Sequence, residues 1–371
     1  MYNLPRILAA TAAIVGLVCA APANSGRGFS DPTDDGFPSP SAEQLAAIES
    51  IAGGQISNAA PPPKLAASSL TAFQLIAFNE NFEVGFFSSL IDNVTADAPG
   101  YNLEATEKQQ VLDVLKAVKA QEELHAISAL AVLDHFGAFA PPPCTYKFPT
   151  TDIKSAIALA ETFTAVVLGT LQDASQLLAT NGDAAPVRTI AAVIGQEGEQ
   201  TGWYRALLGL KPSEKPFLTT STAAFAFSVL QGFVDECSFD PATEIPLPIF
   251  PALSVVSGEG GANVAAEDQT LEFSADLTDA PAGWDQYQGG NGEGLYVTYF
   301  TGLNVPISEP VTVCSWSGNV ITFQAAFPYS ENVMDGLSLA ALTTSGNFTD
   351  PDAVPDATLA APGLIQVNAA L

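Results

Sequence analysis

Residues 120–125 read Ala-Gln-Glu-Glu-Leu-His, and within them Glu122-x-x-His125 sets a carboxylate and an imidazole three residues apart. On a helix that spacing puts both on one face. Extending the segment in alternating steps of four and three gives Val111, Leu115, Val118, Glu122, His125, Ala129, Val132 and Phe136. That is the stripe by which a helix faces a core, so the Glu and the His stand among apolar neighbours.

The same reading applied outward finds three more helices, so that four are expected over about 68–95, 104–137, 150–180 and 186–209, broken at Pro99-Gly100, at Pro141 to Pro143 and near Asn181-Gly182. Their stripes are Phe73, Ile76, Glu80, Glu83, Phe87, Leu90, Val94; Ile157, Glu161, Thr164, Leu168, Leu171; and Ile190, Val193, Glu197, Gln200, Tyr204, Leu207. Each helix therefore carries a Glu on its core side. A lone buried carboxylate is costly, and one per helix requires a common partner. Divalent metal supplies it: two such ions cancel four carboxylates. Glu83, Glu122, Glu161 and Glu197 each fall midway along a helix, so they are expected to converge, with His125 on the same face as Glu122. Glu123 and Glu199 point off the stripe and are expected in solvent. Trp203 and Tyr204 read as aromatic packing.

With this order and spacing on the page, the segment from Leu70 to Pro212 resembles the secreted ferritin-like domain family that includes fungal late sexual development proteins and plant desiccation-related proteins. The residues that carry the resemblance are Asn79-Glu80-Asn81-Phe82-Glu83 with Phe86-Phe87, residues 120–125, Glu161 followed by Gly169, and Glu197 with Trp203, Arg205 and Leu207-Leu208-Gly209. Similarity to the fungal branch extends to Gly36-Phe37-Pro38 and to residues 166–173. The resemblance implies iron or manganese held by Glu83, Glu122, His125, Glu161 and Glu197, with Gln200 as a further candidate ligand. Where the family has a second Glu-x-x-His, however, Glu197 is followed by Gln200, and an amide oxygen is a weaker ligand than imidazole. His135, about 15 Å of helix rise from His125, cannot replace it; Glu80, one turn from Glu83, can. Two metals, one metal and no metal all remain open at this stage.

Beyond the helices the period changes from 3.6 to 2, as in Leu271, Phe273, Ala275, Leu277 and in Ile321, Phe323, Ala325, Phe327. The expected fold class is α+β, a ferritin-like four-helix bundle followed by a β-rich C-terminal domain. The boundaries are a signal peptide over 1–20, an extended arm with one short helix over 21–64, the bundle over 65–211, a connector with an additional helix over 212–250 and the β-rich domain over 251–371. Arg6, the apolar run from Ile7 to Val18 and Val18-Cys19-Ala20 form the export pattern. Secretion leaves three cysteines, and Cys144 with Cys237 is the expected disulfide because both lie at the edges of the helical region. Asn93-Val94-Thr95 and Asn347-Phe348-Thr349 match the glycosylation triplet.

Composition narrows the partners. The chain of 371 residues has 12 Lys and Arg against 40 Asp and Glu, a net charge of −28, which repels nucleic acid and anionic membranes. No second long apolar run suggests a membrane anchor. Asp31, Asp34 and Asp35 read as an acidic cluster and no calcium loop. Residues 289–294 read as a strand-joining loop, since no helix follows for a dinucleotide site. Three functions follow: a secreted protein of development or stress response with a degenerate carboxylate site; a di-iron or di-manganese oxidoreductase acting on oxygen or peroxide; or a module that binds a cell-wall or other extracellular partner through the β-rich domain.

Overall fold

The computed structural model describes residues 33–257 and 263–368. The export segment, 1–20, and Asp31 lie outside the described residues. The first helix, α1 (Ala42–Ala52), starts where Ser41 and Gln44 form a capping box and stops at Gly53, whose φ of 79° suits glycine. Four long helices follow: α2 (Ala67–Thr95), α3 (Ala105–His135), α4 (Ile153–Thr180) and α5 (Val187–Leu207). Asp152 caps α4 by accepting from Ser155 N.

Contacts fix the directions of the helices. Ala129 and Leu133 from the end of α3 share a cluster with Phe73, Ile76 and Ala77 from the start of α2, so these two run antiparallel. Phe87 and Phe86 meet Phe163 near the start of α4, whereas Ala72 and Ile76 face Ala174 and Leu177 near its end across a shared cavity. Thus α2 and α4 are antiparallel too, α3 and α4 are parallel, and the chain between them must return along the bundle. Residues 136–152 do so, anchored to α2 by Gln74 Nε2 donating to Phe139 O at 3.2 Å and Asn81 Nδ2 donating to Pro141 O at 2.9 Å. One long crossover is the ferritin-like connectivity. It is tied down by strand β1 (Thr145–Tyr146) pairing with β2 (Val234–Glu236) and by the Cys144–Cys237 disulfide beside them.

The connector contains α6 (Ala223–Gln231), whose Phe225 and Phe227 are fully buried. Eight strands then form two antiparallel four-stranded sheets. One has the order β10-β9-β5-β6, from Thr358–Val367, Gly336–Thr343, Tyr296–Thr301 and Ile307–Pro310; the other has β3-β4-β8-β7, from Ser254–Val255, Gln269–Asp276, Val320–Phe327 and Thr312–Ser317. Their inner faces share a core that includes Phe273, Phe323, Tyr299 and Leu342. The first sheet is covered on both sides, because Phe300, Leu337 and Leu339 belong to the core of the helices. Every residue of β9 is accordingly buried, whereas β4 and β8 alternate. The molecule is α+β in three layers: bundle, inner sheet, outer sheet. Helix α4 is long and apolar enough to cross a membrane, but most of its apolar window is buried against these layers.

Gly169 marks the closest approach of connector to bundle. A Cβ there would lie 2.4 Å from Thr219 O and 2.9 Å from Ser221 N. Backbone cannot yield as a flexible side chain can, so Gly169→Ala is expected to cost about 1–3 kcal/mol, measured by urea unfolding. The same change at Gly195, which has open space around its Cβ position, should be neutral or stabilising because alanine favours the helix.

Candidate metal centre

Three helices each offer a pair of polar groups three residues apart: Glu80 and Glu83 on α2, Glu122 and His125 on α3, Glu197 and Gln200 on α5. All four glutamates are buried, with no more than 1% of any side chain exposed to solvent. They converge on the imidazole. His125 Nδ1 lies 2.9 Å from Glu122 Oε2, 3.6 Å from Glu80 Oε2 and 3.7 Å from Glu197 Oε1. One ligand atom from each of Glu80, Glu122, His125 and Glu197 falls within 4.8 Å of all the others. Glu83 borders this group, accepting from Asn79 Nδ2 at 3.1 Å through Oε1.

The donors and acceptors do not balance. Glu122 is satisfied, by His125 on one oxygen and by Gln200 Nε2 at 2.7 Å on the other. Both oxygens of Glu80, both of Glu197 and Oε2 of Glu83 are buried without a hydrogen-bond partner. Five orphaned carboxylate oxygens in an apolar interior are what a bound cation would satisfy, and the residues present therefore fit a metal. The family model of the ferritin-like domain matches residues 67–210, which span all of these groups. The helical unit is a ferritin-like domain. No curated protein matches the chain.

Burial dominates the protonation of the ferritin-like domain's centre. It pushes Glu80 up to about 7 against the pull of His125, and it drives Glu83 and Glu197 well above the carboxylate range, helped by the neighbouring carboxylates. His125 is held well above its ordinary value by Glu122 and Glu80, which overcome the effect of its own burial. Tyr204, fully buried, has its phenol pushed well above 10 by burial and by the nearby Glu122, Glu83 and Glu197. Its hydroxyl lies 3.5 Å from Gln200 Oε1 and its ring stacks on Phe87.

Three expectations need correction. Glu161 does not join the centre: its carboxylate pairs with the Arg205 guanidinium and accepts from Gln366 Nε2 of β10 at 3.3 Å. The reason is register. Its partner Arg205 stands eight residues past Glu197 on α5, about 12 Å of helix rise, so the pair lies off the level of the centre. Burial still raises Glu161 to about 7. Glu123 is not in solvent either. It is 1% exposed and paired with Lys119, which also reaches Asp35 Oδ2 at 2.6 Å. Gln200 is at the centre, but as a donor to Glu122 and to Gln121. Glu199 is exposed as expected.

Arg205 was the group missed as a functional partner, with Glu214 3.5 Å from it and Asn368 bonded at 3.1 Å. A signal existed: Arg205 is eight residues from Glu197, on the same face of α5, in a chain with few cations. Of the glycosylation triplets, Asn347 is exposed in the loop after β9, whereas Asn93 is half-buried in α2. Cys314 is a free thiol.

The sign of the pH dependence follows from the raised carboxylates. In the folded metal-free protein Glu80, Glu83 and Glu197 retain protons that the unfolded chain releases above about 4.5, so their stability contribution is complete below that pH; that of Glu80 is lost as pH rises through about 7, and those of Glu83 and Glu197, also raised by burial and by the neighbouring carboxylates, are lost in the same direction. A divalent cation displaces those protons and reverses the trend. The metal-free melting temperature should fall between pH 5 and pH 8, less so in Glu80→Gln, while the increment produced by added manganese(II) grows over that range. A manganese increment that shrinks with pH would contradict the assignment. Separately, Arg205→Met should destabilise the fold by about 3–5 kcal/mol, since it strands Glu161, whereas Glu161→Gln should leave metal content unchanged.

Proposed function

We propose that the chain is a secreted ferritin-like protein that holds iron or manganese through Glu80, Glu122, His125 and Glu197, with Glu83 at the margin. The observation that carries this reading is the set of five partnerless carboxylate oxygens on Glu80, Glu83 and Glu197. Hard oxygen donors with a single imidazole favour manganese(II) and iron(II) over the soft ions that seek thiolate. Helix α4 lends no ligand and α5 ends its pair in Gln200, so the centre is lopsided: one strong position, with only Glu83 left to support a weaker second one.

When bound, iron or manganese supplies one-electron chemistry toward oxygen or peroxide. The chain's own groups prepare the place for it. Gln200 holds one oxygen of Glu122 in position, Asn79 does the same for Glu83, and the Tyr204 and Phe87 rings exclude water. The Tyr204 hydroxyl, 3.5 Å from Gln200 Oε1, sits beside this group. That observation favours oxidoreductase activity as a second reading beside a binding role without turnover.

Export is supported by the signal pattern at residues 1–20 and by the Cys144–Cys237 disulfide, a bond that persists in oxidising compartments. A role in development or stress response rests on the resemblance of the helical segment to the fungal and plant proteins named above. Asn347, exposed in the loop after β9, is the triplet to which we assign a glycan.

Elemental analysis of protein purified from its secretion route tests the metal. At least one iron or manganese per chain is expected, and Glu197→Ala and His125→Ala should each weaken retention by more than about tenfold, the scale reached even by groups that merely support a ligand. A metal-free protein of undiminished stability would remove this reading. Peroxide turnover by the loaded protein, abolished in the same variants, would establish the second one.

A further inference from the structure

A buried centre needs a route for its cation, and the wall of the bundle is not uniform. Apolar clusters pack the helices together, with Ala129 and Leu133 of α3 and Ile190 of α5 in one of them, but at the level of the carboxylates the wall changes character. Between α3 and α5 there is a seam of amides. Gln196 Nε2 and Gln200 Nε2 both donate to Gln121 Oε1, at 2.9 and 3.1 Å, and Gln200 Nε2 goes on to Glu122 Oε1 at 2.7 Å. Gln121 and His125 stand one turn apart on α3, Gln196 and Gln200 one turn apart on α5, so two short polar columns face each other. Gln121 and Gln196 are half-buried while Gln200 and Glu122 are buried, and the seam therefore steps from solvent to a metal ligand. Along it, Gln196 Oε1 is a buried oxygen with no hydrogen-bond partner, of the kind that can touch a passing cation.

The seam is fastened from outside. Gln121 Nε2 donates to Ala52 O, at the end of α1, at 3.3 Å. This contact turns the amide nitrogen outward and leaves the oxygen to gather Gln196 and Gln200. The segment leading to α1 is itself gripped at two points: Asp35 accepts from Lys119 at 2.6 Å, and Phe37, fully buried, sits against Val84 and Ala126, the neighbours of Glu83 and His125. The link from this arm to the bundle, residues 53–64, is largely exposed and has no helix or strand, so the arm is held by these contacts and by the packing of buried Ile48 and α1 on the bundle, and by little else.

We propose that the arm Thr33–Ala52 is a latch on the metal centre, holding Gln121 so that the α3–α5 amide seam stays shut and sets the rate at which a divalent cation enters and leaves. The proposal rests on the metal-binding reading above. The latch bonds to none of Glu80, His125 or Glu197, so releasing it should speed entry and exit together and leave affinity nearly constant.

The test uses the full chain loaded with manganese(II), freed of excess metal and challenged with EDTA, with protein-bound manganese followed over time after rapid desalting. Gln121→Ala, a helix-favouring change at a half-buried position, should release manganese about tenfold faster, the worth of one or two hydrogen bonds. Asp35→Asn, which loosens the arm while Lys119 still serves Glu123, should do so about threefold faster, as befits a part-exposed ion pair. Dissociation constants should stay within about threefold of wild type, because both rates rise. Release within twofold of wild type in both variants would overturn the latch. So would faster release matched by an equal loss of affinity, which would mean that the arm stabilises the bound state and does not gate it. A wild-type protein that retains no manganese at all would instead refute the metal reading, and the latch with it.

Discussion

The structure depends on how negative charge is tolerated in an apolar interior. Glu80, Glu83, Glu122 and Glu197 sit in a bundle whose surrounding surface is Phe, Leu, Val and Ala, and a carboxylate there is stable only with a proton, a cation or a set of donors. Helix geometry turns these groups inward as pairs spaced by three residues on α2, α3 and α5, and the register of the helices sets the pairs at one depth. The raised protonation of Glu80, Glu83 and Glu197 is the metal-free answer to that constraint, and a divalent ion is the alternative. Both answers need the same thing from the fold: walls rigid enough that the carboxylates cannot swing out to water. The aromatic ladder of Phe82, Phe86, Phe87 and Phe163 supplies those walls on the α2–α4 side.

Glu161 shows a different solution to the same constraint. It lies about two helical turns from the centre and has a permanent counter-ion in Arg205, with Gln366 of the last strand filling a remaining acceptor. Arg205 in turn reaches Glu214 of the connector and Asn368 beyond β10. One buried ion pair thus joins a helix of the bundle, the connector and the inner sheet. The two charge clusters divide the work: the one at Glu161 is closed and fastens the layers, while the one at Glu80, Glu122 and Glu197 is left open to a mobile ion.

The helices and the chemistry of the centre were legible in the chain because both follow local periodicity. Stripes at steps of three and four place Glu83, Glu122 and Glu197 inward without any knowledge of the partner helices, and the spacing Glu122-x-x-His125 needs only one turn. What periodicity cannot convey is the axial register between helices distant in sequence. Glu161 satisfies the stripe rule as well as Glu83 does, yet it meets Arg205, two turns past Glu197 on α5, and Glu80 takes part in the centre instead. Glu123 failed for a related reason: off the stripe usually means solvent, but the arm covers that face and brings Asp35 to Lys119 beside it. The three-layer architecture was invisible for the same cause, since the continuous apolar run of β9 tells that both faces are covered and not by what.

These two kinds of misreading have a common origin in a scarcity of cations. A chain with 12 basic residues against 40 acidic ones cannot neutralise every buried carboxylate with a side chain of its own. Lys119 and Arg205 are each committed inside, to Glu123 and to Glu161, and each acts as a bracket between segments that no local pattern connects: the arm with α3, the bundle with the inner sheet. Neither reaches the central four. The centre is therefore the place where the chain's own positive charge runs out, apart from the single imidazole of His125. An acidic protein folded in this way has its brackets where cationic side chains are and its opening to exogenous metal where they are not.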